Sequence, residues 1–262
     1  MKAAGVCILR TGTTQSDAVR DLASQVSQLL LRDRLAAAGR PVEVTAAKQR
    51  PSGIEADEAF VPHTDGHAYG DYYPDVFLLL CEQPAASGGS NYVVDGYALM
   101  DEFRGDAEHA WVAEALEHIS IDQSSRVACV SPAVQRTAGG RLMMRARLDG
   151  PPRGAVKMVQ RPVSDAPAAE RARAEAMLNE YHERIRAASA DAPRFVLEAG
   201  DMLCVDNYRM FHGRDPFTDA EGVERRMWRL WCWSDTCKGV PTGELTSDPL
   251  DVPVRAAGPP AN

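Results

Sequence analysis

The segment Pro62–Gly66 places the strongest constraint on how this chain can fold. It contains His63 and Asp65, which stand two residues apart, so on an extended strand both side chains project to the same face. Two imidazoles and one carboxylate on one side of a metal ion form the facial triad of non-haem Fe(II) sites, which leaves coordination positions open. His212, which is followed by glycine, is the candidate for the second imidazole. The fold must therefore bring His212 to the strand that carries His63.

The His-x-Asp triplet alone is weak evidence for a metal site. With six histidines and 37 acidic residues among 262, about one such pair is expected by chance, and one is present. A histidine at a strand end beside a solvated aspartate would give the same pattern. The interpretation as a metal site therefore depends on the segments that accompany the pair.

Composition and charge are those of an ordinary globular domain. The chain has 262 residues, of which 45% are hydrophobic and 25% charged, so it can bury one substantial core. The net charge of −8 disfavours binding to nucleic acid or to an anionic membrane surface. Six cysteines without a C-x-x-C pair are typical of reduced thiols, and neither a signal peptide nor a membrane-spanning run is evident. We therefore expect a cytoplasmic protein.

Short apolar runs broken by turn residues predict a mostly-β core with flanking α-helices. The predicted strands are Val6–Leu9, Val42–Ala46, the segment around His63, Val76–Cys81, Asn91–Val94, Val127–Val134, Leu142–Leu148, Arg194–Leu197, Met202–Val205 and Arg225–Trp233. The predicted helices run from Ser16 to about Ala38 with Gly39 as the stop, from Asp95 and Asp106 as N-caps to near Arg104 and His118, and from Asp165 to Ala188. No linker divides the chain, which predicts one domain over residues 1–262 with a flexible tail from about residue 250.

Two C-terminal segments support the metal-site interpretation. In Gly200–Arg214 an apolar strand runs through a polar turn to His212, and Gly213 beside it leaves room for a metal ion and a cosubstrate. The next strand, if extended, puts on one face Arg225, Met227, Arg229, Trp231 and Trp233. Burying a guanidinium among tryptophans is costly unless it has a charged partner. A ligand carboxylate is such a partner. An edge strand with solvated arginines is the alternative interpretation.

Together these segments resemble the Fe(II)- and 2-oxoglutarate-dependent oxygenases of the TauD/clavaminate synthase-like family, and within it the γ-butyrobetaine hydroxylase branch. The resemblance is carried, in chain order, by His63-Thr64-Asp65, Leu79-Leu80-Cys81, Gly88-Gly89, Val94-Asp95-Gly96, Asp206-Asn207, His212-Gly213-Arg214 and the strand that starts at Arg225. It covers residues of about 60–100 and 195–235 well. The fold that it implies is a double-stranded β-helix, or jelly roll.

The resemblance also implies roles for individual residues. The implied iron ligands are His63, Asp65 and His212. Arg225 would hold the distal carboxylate of 2-oxoglutarate, and Arg229 would reach the other end of the cosubstrate or an anionic substrate. Ser90 or Asn91 would assist in binding the cosubstrate. A register shift of one residue would exchange Arg225 with Arg226.

Further polar and aromatic residues are candidates for substrate contact, namely Tyr69, Tyr72, Arg147, Asn207 and Trp231. A competing metal pattern also exists, because His63 and His67 have the spacing of an H-x-x-x-H zinc pair. Such a pair needs a helix, which the neighbouring glycines and proline disfavour.

The function implied by the resemblance is Fe(II)- and 2-oxoglutarate-dependent oxidation of a small polar metabolite, with release of succinate and CO2. Hydroxylation is the default outcome, and desaturation or ring formation stay open. Asp65 argues against halogenation, because a halide would need its coordination position. The expected substrate is an amino acid or derivative in bacterial secondary metabolism.

Two other classes of function stay open. One is a jelly-roll metalloenzyme that uses another metal without 2-oxoglutarate, and the other is a noncatalytic jelly roll that binds a small molecule. The expected partners are a small-molecule substrate and O2, without nucleic acid or membrane. The sequence leaves open whether the chain forms a homo-oligomer.

Overall fold

The computed structural model describes residues 5–31, 33–49, 58–148 and 160–252. The strands of these residues are β1 (Val6–Arg10), β2 (Leu35–Ala38), β3 (Val42–Val44), β4 (Phe60–His63), β5 (Val76–Gln83), β6 (Ser87–Gly88), β7 (Asn91–Asp95), β8 (Ile121–Asp122), β9 (Val130–Ser131), β10 (Val134–Arg136), β11 (Leu142–Met144), β12 (Arg161–Pro162), β13 (Asp201–Asp206), β14 (Met210–Arg214), β15 (Phe217–Thr218) and β16 (Arg226–Ser234). The α-helices are α1 (Ser16–Leu31), α2 (Ala46–Gln49), α3 (Gly96–Gly105), α4 (Ala110–His118) and α5 (Ala168–Asp191), and a 3-10 helix spans His67–Tyr72. The predicted tail lies outside the described residues from residue 253 onward.

A large antiparallel sheet forms the centre of the molecule. Its strand order is β1-β13-β5-β16-β2, and β3 also pairs with β16. β5 is buried on both faces from Val76 to Cys81, as its continuous apolar run predicts. The outer face of the sheet packs on α1 through Val19, Ala23 and Val26. The apolar positions of α1 recur at three- and four-residue intervals, so one face of the helix covers the sheet.

A second, small antiparallel sheet lies on the other side of the molecule, with the order β4-β14-β7. Its outer face packs on α3, α4 and α5, and Val94 and Phe211 contribute to that core. Its inner face meets the inner face of the large sheet, where Phe77, Leu79 and Trp231 form a shared cluster with Met210. The layers are therefore α1, the large sheet, the small sheet and the helices α3 to α5.

The prediction for the first helix was wrong at its C-terminal end. α1 ends at Leu31, and Leu35–Ala38 forms β2 on the edge of β16. The alanines of this segment fit a helix or a strand, so the exposed edge of β16 decides its structure. Gly39 consequently donates its N–H to the carbonyl of Trp231 instead of ending a helix.

The cap predictions differ in outcome. Asp95 caps α3, because its side chain accepts hydrogen bonds from the N–H groups of Tyr97 and Ala98. Asp106 is the C-terminal cap of α3, and its side chain caps the turn that leads into α4 by accepting from the N–H of Glu108 at 3.0 Å; α4 itself begins at Ala110.

Several predicted strands are shorter than their apolar runs indicate. Only β9 and the start of β10 form within the predicted strand Val127–Val134, and only β11 forms within Leu142–Leu148. The predicted strand Arg194–Leu197 is reduced to a single bridge between Phe195 and Asn91. The long C-terminal helix is present as α5, which begins directly after Pro167. Among the described residues, no helix is long and apolar enough to cross a membrane.

Candidate metal centre

Three buried side chains converge where the two sheets meet. His63 ends β4 and lies directly opposite His212 of β14, and their ring centroids are 4.4 Å apart. Asp65 Oδ1 lies 3.3 Å from His63 Nε2 and 4.0 Å from His212 Nε2. One potential ligand atom of each residue falls within 4.8 Å of the others. The distant segments predicted to meet therefore do so, although β4 ends at His63 and Asp65 lies just beyond the strand.

Asp65 is held on its far side. Trp231 Nε1 donates a hydrogen bond of 2.8 Å to Asp65 Oδ2, and Arg229 Nη1 lies 3.7 Å from the same oxygen. The side chain of Asn207 accepts from the backbone N–H of Asp65 at 2.9 Å and donates to its carbonyl at 3.1 Å. These contacts fix the carboxylate so that Oδ1 faces the imidazoles. Burial alone would raise the pKa of Asp65, but Arg229 and the two histidines outweigh it, and its pKa lies below the usual range.

The two imidazoles present ring nitrogens that suit a metal ligand set. His63 Nδ1 donates to the carbonyl of Val61 at 2.9 Å, so Nε2 is the ring nitrogen that faces Asp65. His63 Nε2 is buried and has no hydrogen-bond partner in the described part of the chain. Burial, followed by the effect of His63, lowers the pKa of His212 to about 3, so His212 is neutral. Two imidazoles and one carboxylate, with an orphaned Nε2 among them, fit a divalent transition metal.

A pocket opens between the two sheets beside this triad. It is lined by Val44, Phe60, His63, Asp65, Phe77, Leu79, Asn91, His212, Gly213, Arg214, Arg225 and Arg229. The Phe77 ring stacks on the His212 imidazole at 4.4 Å and fixes its orientation. The pocket thus combines apolar walls, the triad and three guanidinium groups.

Arg225 and Arg214 form a positively charged end of the pocket. Arg225 is only 3% exposed, and its guanidinium lies 5.2 Å from the Phe217 ring centroid. Arg214 lies 4.5 Å from the same ring. Burial lowers the pKa of both to about 10, and Arg214 adds to the shift of Arg225. No carboxylate of the described residues forms an ion pair with Arg225, so this end of the pocket suits a ligand carboxylate.

The strand register predicted for β16 is confirmed. Arg225 and Arg229 line the pocket, whereas Arg226 lies on the opposite face in ion pairs with Glu43 and Glu82. Arg229 also donates from Nε to the carbonyl of Ser247 at 2.9 Å. Because Arg229 lies beside Asp65, it helps to hold that carboxylate in place and also places a positive charge in the pocket.

The structure distinguishes the two residues that follow the glycine turn. Asn91 is 5% exposed and lines the pocket, and its Nδ2 has no hydrogen-bond partner among the residues described. Ser90 is half-buried and does not line the pocket, and its carbonyl accepts from the N–H of Asp215. The Asn91 amide is therefore the group placed to meet a ligand.

None of the five residues predicted to contact substrate, Arg147 included, is among the described residues that line the pocket. Tyr69 is in the core and exchanges two hydrogen bonds with the backbone of Thr246. The backbone carbonyl of Tyr72 accepts a hydrogen bond from Trp233 Nε1. Asn207 and Trp231 lie behind Asp65, where their hydrogen bonds are satisfied by that residue. Packing of the loop after β4 takes these side chains away from the pocket.

Two further histidine and arginine candidates have definite positions. Arg147 lies beside the triad, where it pairs with His63 in an antiparallel bridge. His67 does not join the metal cluster. It begins a 3-10 helix, lies 3.1 Å from Thr64 Oγ1 and stacks on Tyr73, so the H-x-x-x-H spacing brings no zinc pair together.

Sequence reasoning missed Arg214, although a signal was present. Residues two apart on a strand share a face, so Arg214 follows His212 into the pocket. Gly213 lines the pocket, and packing within the small sheet is a second reason for glycine at this position. A Cβ there would lie 2.4 Å from the Tyr92 ring and 2.7 Å from the carbonyl of Phe60, so the close approach is between strands of the small sheet.

Comparison with known proteins agrees with this site. Residues 1–231 match the family described as "Taurine catabolism dioxygenase TauD, TfdA family". The chain belongs to this family. It is also 30% identical over 156 residues to the γ-butyrobetaine dioxygenase of Pseudomonas sp. (strain AK-1), an alignment that covers 57% of this chain and 37% of the relative. The chain thus spans less than two-fifths of that relative's length.

Solved structures share the fold. The asparagine oxygenase AsnO aligns with a TM-score of 0.60 at 17% identity, over 88% of this chain and 73% of that one. A mutant of the non-haem iron oxygenase OrfP in complex with (3S)-hydroxy-L-Arg gives 0.57 at 16% identity, over 88% and 75%. PvcB from Pseudomonas aeruginosa gives 0.54 at 16% identity, over 88% and 76%. The predicted mostly-β jelly-roll fold with flanking helices is thereby confirmed; its sheets are antiparallel and remain open.

Proposed function

We propose that this chain is an Fe(II)- and 2-oxoglutarate-dependent dioxygenase that oxidises a small polar metabolite. The observation that carries the proposal is one pocket that holds both the buried triad and the guanidinium of Arg225, which forms no ion pair with any described residue. A metal site alone needs only the first, whereas a dicarboxylate cosubstrate that chelates the metal needs both. Membership of the TauD, TfdA family supports the same function.

In this proposal His63, Asp65 and His212 hold the iron. When bound, iron and 2-oxoglutarate supply the oxidative chemistry, in which O2 is consumed, 2-oxoglutarate loses CO2 to give succinate, and a substrate C–H bond is oxidised. Trp231 and Arg229 keep Asp65 Oδ1 directed at the imidazoles. The protein's own contribution is thus to fix three ligand atoms before the metal arrives.

The remaining pocket residues bind the cosubstrate. Arg225 would hold its distal carboxylate, and Arg214 lies at the same end of the pocket. The Asn91 amide donates a hydrogen bond that no group of the described residues now receives. Phe77 and Leu79 form an apolar wall that excludes water, so these charge pairs act in a low dielectric.

The substrate that we propose is an amino acid or a derivative of one. Structures of the asparagine oxygenase AsnO and of OrfP contain 3-hydroxyasparagine and 3-hydroxyarginine, and both proteins share the fold of this chain. Hydroxylation is accordingly the outcome that we propose. We also propose a cytoplasmic location, which the six unpaired cysteines support.

The proposal is tested by anaerobic titration of the metal-free protein with Fe(II) and 2-oxoglutarate. Bidentate binding of the keto acid to iron gives a weak visible charge-transfer band. The band should appear in the wild type and in His118→Ala, a variant of an exposed histidine on α4, and should be lost in His63→Ala and His212→Ala. Metal binding without the band would favour a metalloenzyme that does not use 2-oxoglutarate. Failure to bind metal would refute both interpretations and leave a noncatalytic binding protein.

A further inference from the structure

One rung of the small sheet carries four residues side by side. His212 lies opposite Val93 on one side and His63 on the other, and His63 in turn lies opposite Arg147. The amide of Thr64 also donates to the carbonyl of Ala146 at 3.0 Å, which extends the pairing beyond β4. Residues directly opposite one another in an antiparallel pair project to the same face, with Cβ atoms about 5 Å apart. Arg147 therefore starts on the face that carries both imidazoles, next to His63.

The guanidinium of Arg147 stays close to the triad. Its Cζ lies 5.9 Å from the ring centroid of Phe60, and that ring packs 4.0 Å from the His63 imidazole. Phe60 also lines the pocket. Burial lowers the pKa of Arg147, and the carboxylate of Asp65 opposes that shift, so the two charges act on each other. The cation thus lies at the side of the metal centre.

Arg147 differs from its neighbours in forming no ion pair with a described side chain. Arg141 forms ion pairs with Asp75 and Asp206, and Arg145 lies 3.6 Å from Asp71. The guanidinium of Arg147 contacts the Phe60 ring, and the carboxylate of Asp65 acts on its charge without pairing with it. The half-buried guanidinium can therefore still take a ligand anion as its direct partner.

This position is separate from the proposed cosubstrate end of the pocket. Arg214 lies two residues beyond His212 along β14, on the rung of Asn91 and Phe60. The backbone of Arg147 instead lies across β4 from His63, and its guanidinium lies beside the Phe60 ring. An anion that pairs with Arg225 at the Arg214 end does not require Arg147, which is left for a second anion next to the triad.

We infer that Arg147 recognises a carboxylate of the substrate, so that the enzyme acts on small carboxylic acids, which includes free amino acids. The inference rests on the proposed function and adds a specificity residue to it. The planar fork of the guanidinium pairs with both oxygens of a carboxylate and fixes the orientation of the molecule that carries it. The substrate's reacting C–H bond would thereby be held near the metal by a residue that is not a metal ligand.

The test uses the iron-loaded protein with 2-oxoglutarate and measures O2 uptake with pools of defined compounds. The pools are free amino acids, their N-acetyl derivatives, hydroxy acids, the matching primary amides, sulfonates and phosphate monoesters. We expect an acid pool to stimulate uptake and the amides of its active members to fail. Arg147→Gln should raise the KM for the active acid by roughly 10- to 100-fold, as expected for loss of a charge-assisted pair. Arg147→Lys should recover part of this loss.

Two controls separate recognition from misfolding. Arg161→Gln removes an exposed arginine that pairs with Asp122, and it should leave the KM unchanged. Arg147→Gln should keep the charge-transfer band and the KM for 2-oxoglutarate within about twofold of wild type.

The outcomes are distinct for the inference and for the proposed function. Absence of the charge-transfer band in the wild type refutes the proposed function itself. If the band is present but no acid pool stimulates O2 uptake, or Arg147→Gln leaves the KM of the active acid within twofold, the inference is refuted alone. Stimulation only by sulfonates or phosphate monoesters would overturn the assignment of a carboxylate.

Discussion

The indole of Trp231 should control how tightly the metal binds, although it is not a ligand. Its Nε1–H donates to Asp65 Oδ2 at 2.8 Å, deep in the core. The substitution Trp231→Phe removes this donor and keeps an aromatic ring. Asp65 could then turn away from the imidazoles, because only Arg229, at 3.7 Å, still holds the same oxygen.

The expected magnitude follows from the kind of hydrogen bond that is lost. A hydrogen bond to a charged group contributes about 1.5–3 kcal/mol, which corresponds to roughly 10- to 150-fold in an equilibrium constant. Loss of groups that orient metal ligands costs about 10- to 100-fold in affinity. Because Arg229 remains, we expect the Kd for Fe(II) to rise by roughly 10- to 50-fold.

The assay is anaerobic competition for Fe(II) against a chelator of known affinity. Trp228→Phe is a matched control, because Trp228 lies on the other face of the same strand and donates to Glu82 Oε2 at 2.6 Å. Urea unfolding of both variants would measure what the change of ring size costs in stability. A Kd for Trp231→Phe within twofold of the Trp228→Phe value would refute the reasoning and leave the indole as a space-filling group.

Three further predictions concern the cosubstrate, the packing and the pH dependence. Arg225→Gln should weaken 2-oxoglutarate binding by roughly 10-fold or more and Arg226→Gln by less than twofold, measured by titration of the charge-transfer band; the reverse ranking would contradict the pocket assignment. Gly213→Ala should lower the free energy of unfolding by at least about 1–3 kcal/mol in urea, because its Cβ would overlap the Tyr92 ring, and an unchanged midpoint would contradict this. Burial lowers the pKa of His182 to about 4. Because the unfolded chain takes up this proton near pH 6.5, stability should fall as the pH drops from about 6.5 to 4, by about 2 kcal/mol at pH 5 relative to pH 7.5, and His182→Gln should remove that loss.

The two faces of β16 could be predicted because strand alternation is a short-range rule. The alternation of a strand places Arg225 and Arg229 on one face and Arg226 on the other, which the ion pairs of Arg226 with Glu43 and Glu82 confirm. The same alternation puts Arg214 on the face of β14 that carries His212, so Arg214 could also have been predicted as a pocket residue. Whatever depends on one strand and its period can be inferred from the sequence.

The errors concern residues whose positions depend on distant partners. Leu35–Ala38 has no strong preference of its own, and it becomes a strand because β16 has an open edge. Trp231 and Asn207 have the size and polarity of substrate contacts, yet both are used to hold Asp65. The position of Arg147 beside the triad depends on a single backbone bridge to His63, which is distant in sequence. No local pattern encodes such pairings.

The charges of the pocket favour binding of the metal and the cosubstrate together. Among the described residues its lining includes one carboxylate, Asp65, and the guanidiniums of Arg229 and of Arg225, which forms no ion pair with a described side chain, so positive charge is in excess at the Arg225 end although the whole chain carries −8. A divalent cation that enters alone adds to this excess in a low dielectric, where Asp65 offsets only part of it. A dianionic cosubstrate relieves the repulsion for the metal and for Arg225 alike. Because such coupling is reciprocal, each ligand strengthens the binding of the other. Arg225 thus contributes to metal retention without contacting the metal, and the acidic exterior of the chain is no obstacle to an anionic ligand.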